Sequence, residues 1–220
     1  MKIKYNPISS KFLILIIIIS VLISCSGNSK DLPSEATFKD NIYNNKFFRF
    51  QFTLPEGWHI ANKETMDSIS ETGKEIIAGD DENLEKSIEV AQKNIYNLIQ
   101  AFQVAPGTPL DYYNSNISCI AEKVSQFPGI KSGKDYLLNA KQLINFGQLK
   151  FTIDDKIQKV SISGMDFYNM NTFITIMDYE IKQEYYALYQ DDFILAFVIG
   201  YSGLEQQEVM HKIINKIKFY

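Results

Sequence analysis

The chain has 220 residues, 45% of them hydrophobic and 22% charged. That is the composition of a chain that builds a packed core, and it excludes disorder throughout. Of 22 basic residues, Lys2, Lys4 and Lys11 lie in an N-terminal leader, so the remainder sets 19 basic against 26 acidic residues. An acidic surface repels phosphate backbones and is expected to exclude nucleic acid as a partner.

The leader comes first in chain order. Behind the three lysines, Phe12 to Ile23 is a run of twelve residues, all apolar except Ser20. A membrane-spanning helix needs roughly 20 apolar residues, whereas twelve suits the core of an export signal. Leu22-Ile23-Ser24-Cys25 follows, with an aliphatic residue three before the cysteine and a small residue just before it. This resembles the lipobox of bacterial lipoproteins. The resemblance implies that residues 1–24 are a signal peptide and that Cys25 becomes a lipidated N-terminus. The chain would then be held by its lipid on the extracytoplasmic side of a cell membrane. Two acyl chains anchor firmly, at about 0.8 kcal/mol per buried methylene.

Ser26 to Asn41 is polar, with Gly27 and Pro33, and reads as a tether. It would span at most about 55 Å, at roughly 3.4 Å per residue. The expected division is a leader over 1–24, a lipidated cysteine and tether over 25–41, and one domain over 42–220.

Within the domain, Phe48, Phe50, Phe52 and Leu54 alternate with polar residues, the period of a half-buried strand. Pro55-Glu56-Gly57 ends it and Trp58 follows. A broken helix is expected over Lys63 to Ile77. A second begins behind Asp80-Asp81 and runs to about Ile95, with Leu84, Ile88, Ala91 and Ile95 at helical spacing. Asn97 to Val104 can extend that helix but reads better as a strand stopping at Pro106-Gly107. A strand over Asn116 to Val124 contains Cys119, the only cysteine besides Cys25, which reads as a small buried hydrophobe. Ser132 caps a helix over Gly133 to Phe146, with Tyr136, Leu137, Ala140 and Ile144 inward.

The C-terminal half reads as strands over Ile157 to Ile162, Met165 to Tyr179, Glu184 to Tyr189 and Phe193 to Gly200. The turns are Ser163-Gly164 and Gln190-Asp191-Asp192. Phe193 to Ile199 is apolar throughout and should be a central strand covered on both faces. Ser202-Gly203-Leu204-Glu205 has the form of a capping box. The helix behind it reaches about Lys216, burying Val209, Ile213 and Ile217. Antiparallel strands with helices packed on them make an α+β domain, a central antiparallel β-sheet flanked by helices.

Phe52-Thr53-Leu54-Pro55-Glu56-Gly57-Trp58 resembles the opening of PsbP-like domains. The C-terminal order is similar too: Gly164 to Tyr168, Gln183 to Tyr186, Phe193 to Gly200 and a last helix to Phe219. PsbP-like lipoproteins of Gram-positive bacteria share this layout over about residues 41–220. The resemblance implies the fold seen in DcrB-type lipoproteins and the photosystem subunit PsbP, and a role in binding or assembly rather than turnover. No metal or photosystem contact carries over, because no residue here aligns to one.

The candidate sites follow from residue chemistry. Trp58 is either the aromatic wall of a ligand pocket or a plug at one end of the sheet. Tyr112, Tyr113, Tyr185, Tyr186 and Tyr189 form an aromatic excess of the kind interfaces favour. Ala105 to Tyr113 is the expected exposed recognition segment. Two histidines, His59 and His211, are too few for a His-based metal site. Asp80-Asp81-Glu82, Asp154-Asp155 and Asp191-Asp192 lack calcium-loop spacing and read as caps and turns. No Gly-rich phosphate loop, nucleophile elbow or zinc motif is present, so no cofactor and no catalytic residue is expected. These features point to a tethered, non-catalytic module for an envelope partner. A small-ligand binder with a groove between sheet and helices is the alternative, and a hydrolase assembled only by folding is a third reading.

Overall fold

A computed structural model describes residues 36–146, 149–176 and 179–220. The leader, Cys25 and the tether as far as residue 35 lie outside those residues. The ordered sheet begins earlier than expected: Ala36–Lys39 is strand β1, so the stretch read as the end of a tether is part of the domain. It pairs with β2 (Ile42–Asn45) through a turn in which Asp40 and Asn41 have φ 53° and 58°. Positive φ at both central residues defines the hairpin turn whose twist matches that of strands. Further strands and helices follow as β3 (Phe50–Thr53), β4 (His59–Ile60), α1 (Lys63–Ala78), α2 (Glu82–Gln92), β5 (Ile95–Phe102), β6 (Asn116–Lys123) and α3 (Gly133–Phe146). After these come β7 (Thr152–Ile153), β8 (Gln158–Ile162), β9 (Met165–Ile176), β10 (Tyr179–Gln190), β11 (Phe193–Tyr201), α4 (Gly203–Asn215) and β12 (Lys218–Phe219).

The fold is α+β and the sheets are antiparallel. A large sheet has the order β4-β5-β6-β11-β10-β9-β7, with β8 also paired to β9, and a small one the order β1-β2-β3-β12. One face of the large sheet packs on α1, α2 and α3. The other packs on the small sheet and α4, so one of the two covering layers is itself mostly sheet. Strand β11 lies between β6 and β10, and its pleat feeds both cores. Ile194, Ala196 and Val198 face the helices, while Leu195, Phe197 and Ile199 face the small sheet. This is why its sequence shows no alternation.

Several local expectations are corrected. Helix α1 is continuous through Gly73; Asn62 caps it by accepting from the Thr65 backbone N–H at 2.8 Å. Helix α2 ends at Gln92, and the apolar run beyond it belongs to β5, whose bulge between Asn97 and Ile99 disguises its alternation. Strand β10 begins at Tyr179 rather than Glu184, so β9 and β10 form a long hairpin. At the start of α4 the Ser202 N–H is satisfied by Gln206 Oε1 at 2.8 Å, and the Ser202 hydroxyl donates to Glu180 O at 2.8 Å, in place of the reciprocal box with Glu205. The residues α4 and its exit bury are Met210, Ile213, Ile214 and Ile217, with Val209 half-exposed.

Helix α3 sits unusually close to the sheet. A Cβ built on Gly133 would lie 2.1 Å from the Ala187 carbonyl oxygen, so only glycine permits this approach.

Candidate functional site

The sequence-predicted tyrosines do not gather into one surface. Tyr113 and Tyr185 are 0% and 2% exposed, inside the core beneath the helices. Their hydroxyls are engaged there, Tyr113 accepting from Asn116 Nδ2 at 2.9 Å and Tyr185 donating to Gln183 Oε1 at 2.6 Å. Tyr186 is buried on the opposite face. Only Tyr112 and Tyr189 are exposed. Tyr112 adjoins Tyr113, which lies against Gly200, and Tyr189 pairs with Ile194. Six residues of β11 separate those positions, about 20 Å at roughly 3.3 Å per residue. The loop from Ala105 to Tyr112 is largely exposed, as expected, and Asn114 closes its base through both amide atoms to Val104 at 3.0 and 2.8 Å. Trp58 is half-buried against the core between the two sheets.

The fold builds instead on the two flanks of α4, which no motif announced. Residues four apart on a helix share a face, at 100° per residue. Gln207 and His211 therefore project from one flank, Val209, Lys212 and Lys216 from the other, with the buried face between them.

On the first flank stands Glu184 of β10, 4% exposed. Lys182, Glu184 and Tyr186 alternate onto the same face of β10. The Tyr186 hydroxyl donates to Glu184 Oε2 at 2.5 Å and the Tyr201 hydroxyl donates to Oε1. His211 Nε2 lies 3.0 Å from Oε1 and Lys182 Nζ lies 3.3 Å from it. Gln207 Nε2 in turn donates to the Tyr201 hydroxyl at 3.0 Å. Burial acts to raise the Glu184 pKa, but the hydrogen bonds from Tyr186, Tyr201 and His211 outweigh it and hold the carboxyl below its ordinary value. Burial first, then the carboxylate beside them, push both tyrosines well above theirs. Three of these contacts fall on Oε1 and the one from Tyr186 falls on Oε2, so both oxygens are engaged. Glu184 is thus held by its own neighbours and nearly closed to solvent, and its network ties α4 to the large sheet through His211. The sequence signal was the polar alternation Lys182-x-Glu184-x-Tyr186 in a strand whose neighbour is apolar throughout.

On the second flank, α4 and the end of β3 leave a groove of about 350 Å³, lined by Thr53, Leu54, Pro55, Val209, Lys212, Ile213 and Lys216. Leu54 and Ile213 are buried at its floor, and both lysines are exposed at its rim. Lys212 lies 3.9 Å from Glu208, and Lys216 makes no ion pair among the described residues. The volume lies at the small end of the range of ligand pockets, roughly 300–1,000 Å³. The Pro55 turn that the sequence marked as a strand end forms one wall, whereas Trp58 is not part of the lining.

Cys119 is fully buried in β6, and burial pushes its thiol well up. Glu122, on the same strand, is 5% exposed against the helix layer, and Tyr136 hydrogen-bonds to it. Asp191 and Asp192 form the β10–β11 turn with φ 49° and 65°, and Asp154 Oδ2 accepts from Asn171 Nδ2 at 2.9 Å.

No known family model matches the sequence, and neither does any curated protein. Among solved structures, the chain is similar to cyanobacterial PsbP (CyanoP) from Synechocystis sp. PCC 6803, with a TM-score of 0.46 at 11% identity, over 90% of this chain and 98% of that one. It is also similar to LpqN, involved in cell envelope biogenesis of Mycobacterium tuberculosis, with a TM-score of 0.42 at 8% identity, over 77% and 82%. A protein from Bacteroides thetaiotaomicron has a TM-score of 0.42 at 9% identity, over 86% of this chain and 49% of that one.

Proposed function

We propose that this chain is an exported lipoprotein, anchored through Cys25, whose domain binds a small ligand and does no chemistry on it. The anchoring half rests on the basic leader, the twelve-residue apolar core and Leu22-Ile23-Ser24-Cys25. Among the described residues no helix is long and apolar enough to cross a membrane. The binding half rests on one observation, the groove between β3 and α4 with its apolar floor and lysine rim. The non-catalytic reading is supported by how the reactive groups are used: Glu184 is buried and engaged on both oxygens by its own neighbours, and Cys119 is sealed in the core. Three of the five tyrosines that favoured a protein partner lie buried, which weakens that alternative relative to the groove.

The test uses the full chain in its own membranes. Wild-type protein should fractionate with the membrane and Cys25→Ser should move to the uncleaved or soluble pool. Natively purified wild type, denatured and extracted, should yield a small molecule that is missing from Val209→Trp, which fills the groove. Normal processing with unchanged membrane retention of Cys25→Ser would sink the anchoring half. Identical extracts from the wild type and a folded Val209→Trp protein would sink the binding half.

A further inference from the structure

Resting on that reading of the groove, we infer that its ligand is a single-chain amphipathic anion, an aliphatic tail carrying one negatively charged head. Shape and charge both point there. The floor is apolar, formed by Leu54 and Ile213 with Pro55 and Val209 as walls, and such surface recognises hydrocarbon. The rim carries two ammonium groups, Lys212 and Lys216, spaced i,i+4 so that both stand over the same opening. Lys212 makes a loose, exposed contact of 3.9 Å with Glu208. Lys216 makes no ion pair among the described residues. A neutral apolar ligand would leave this cation pair unused, and a cationic one would meet it as repulsion.

The size restricts the class further. About 350 Å³ matches the bulk of one short chain. The proposed occupant is a free single-chain anion, and vesicle competition distinguishes it from a membrane lipid that inserts one chain. The Glu184 network on the opposite flank fixes α4 through Gln207 and His211 and keeps its lysine-bearing wall in place.

The experiment is photoaffinity labelling of the lipidated full chain in zwitterionic nanodiscs. The probes are diazirine-bearing decanoate, decanol and decyltrimethylammonium, and labelled residues are read by mass spectrometry. Decanoate should label residues 53–55 and 209–216, with decanol about tenfold weaker and the cation weaker still. The double variant Lys212→Gln/Lys216→Gln alters only exposed side chains, so it should fold normally. It should lower decanoate labelling about tenfold while leaving decanol labelling unchanged. Competition by free decanoate but not by phosphatidylglycerol vesicles supports the single-chain anion, and competition by the vesicles alone overturns it. Equal labelling by decanol, or indifference to the double variant, overturns the anion while leaving a groove binder standing. No label in the groove from any probe overturns the inference outright, and the extraction experiment then decides the binding reading independently.

Discussion

Glu122 gives the domain a pH dependence of unusual sign. Its carboxyl stands on β6 between Ile95 and Ile194, 5% exposed, with the Tyr136 hydroxyl as hydrogen-bond partner. Burial, only partly offset by that hydrogen bond, raises its pKa from the ordinary 4.5 to about 7. The folded state thus holds this proton more tightly than the unfolded chain. The associated stability is fully present below pH 4.5 and is lost as pH rises through 7. At about 1.4 kcal/mol for each pKa unit, the loss is about 3 kcal/mol. With a urea dependence of about 2 kcal/mol per molar, the unfolding midpoint should fall by about 1.5 M between pH 5 and pH 8.5. Glu122→Gln keeps the shape and an acceptor for Tyr136 but carries no charge, so it should flatten this fall and be the more stable protein at pH 8.5. Urea titrations of both proteins across that range, followed by circular dichroism, provide the comparison. Parallel midpoint curves for wild type and Glu122→Gln would refute the argument, because the difference between them isolates this one group from the general acidity of the surface.

Two further predictions concern the other polar and aromatic groups. Glu184 titrates in the opposite sense: its pKa is held low, so its contribution is present above the ordinary carboxylate pKa and is lost as pH falls. Glu184→Gln should lower stability at pH 7 by about 2 kcal/mol, with the gap closing below pH 4 in acid-unfolding curves, and a constant gap would contradict the network. Tyr113→Ala should destabilise the fold by about 3–5 kcal/mol in thermal melts, whereas Tyr112→Ala next to it should stay within about 0.5 kcal/mol; equal effects would show that the core placement of Tyr113 is wrong.

The sequence carried most of the large sheet, because its strands are long and their turns have unambiguous chemistry. Ser163-Gly164 and Asp191-Asp192 mark hairpins directly, and the unbroken apolar run of β11 told of burial on both faces. It failed where an element is short. Ala36–Lys39 and Lys218–Phe219 give no periodicity, so of the small sheet only β3 was legible and β1 passed for tether. The candidate site was illegible for a different reason. Tyr113, Tyr185 and Tyr186 are polar enough to read as interface residues, yet each hydroxyl finds a partner inside, and only the fold supplies that partner. Likewise Glu184, Tyr201 and His211 are spread over 28 positions, from 184 to 211, with no spacing rule to join them.

The positions of the two buried glutamates assign them to different halves of the molecule. Glu122 touches the helix layer through Tyr136 of α3, and Glu184 touches α4 on the far side of the same sheet. Acid weakens the α4 side by protonating Glu184, and alkali weakens the α3 side by ionising Glu122. The groove is built from α4 and the end of β3, both on the Glu184 side of the large sheet, so its binding should follow the acid limb and be insensitive to the alkaline one until the whole domain unfolds. Glu184→Gln should therefore lower decanoate labelling of the groove at pH 7 at a protein stability where Glu122→Gln leaves it unchanged. Equal labelling of the two variants would mean that the groove wall is set by the apolar contacts of Met210, Ile213 and Ile214, with the polar network adding stability but no shape.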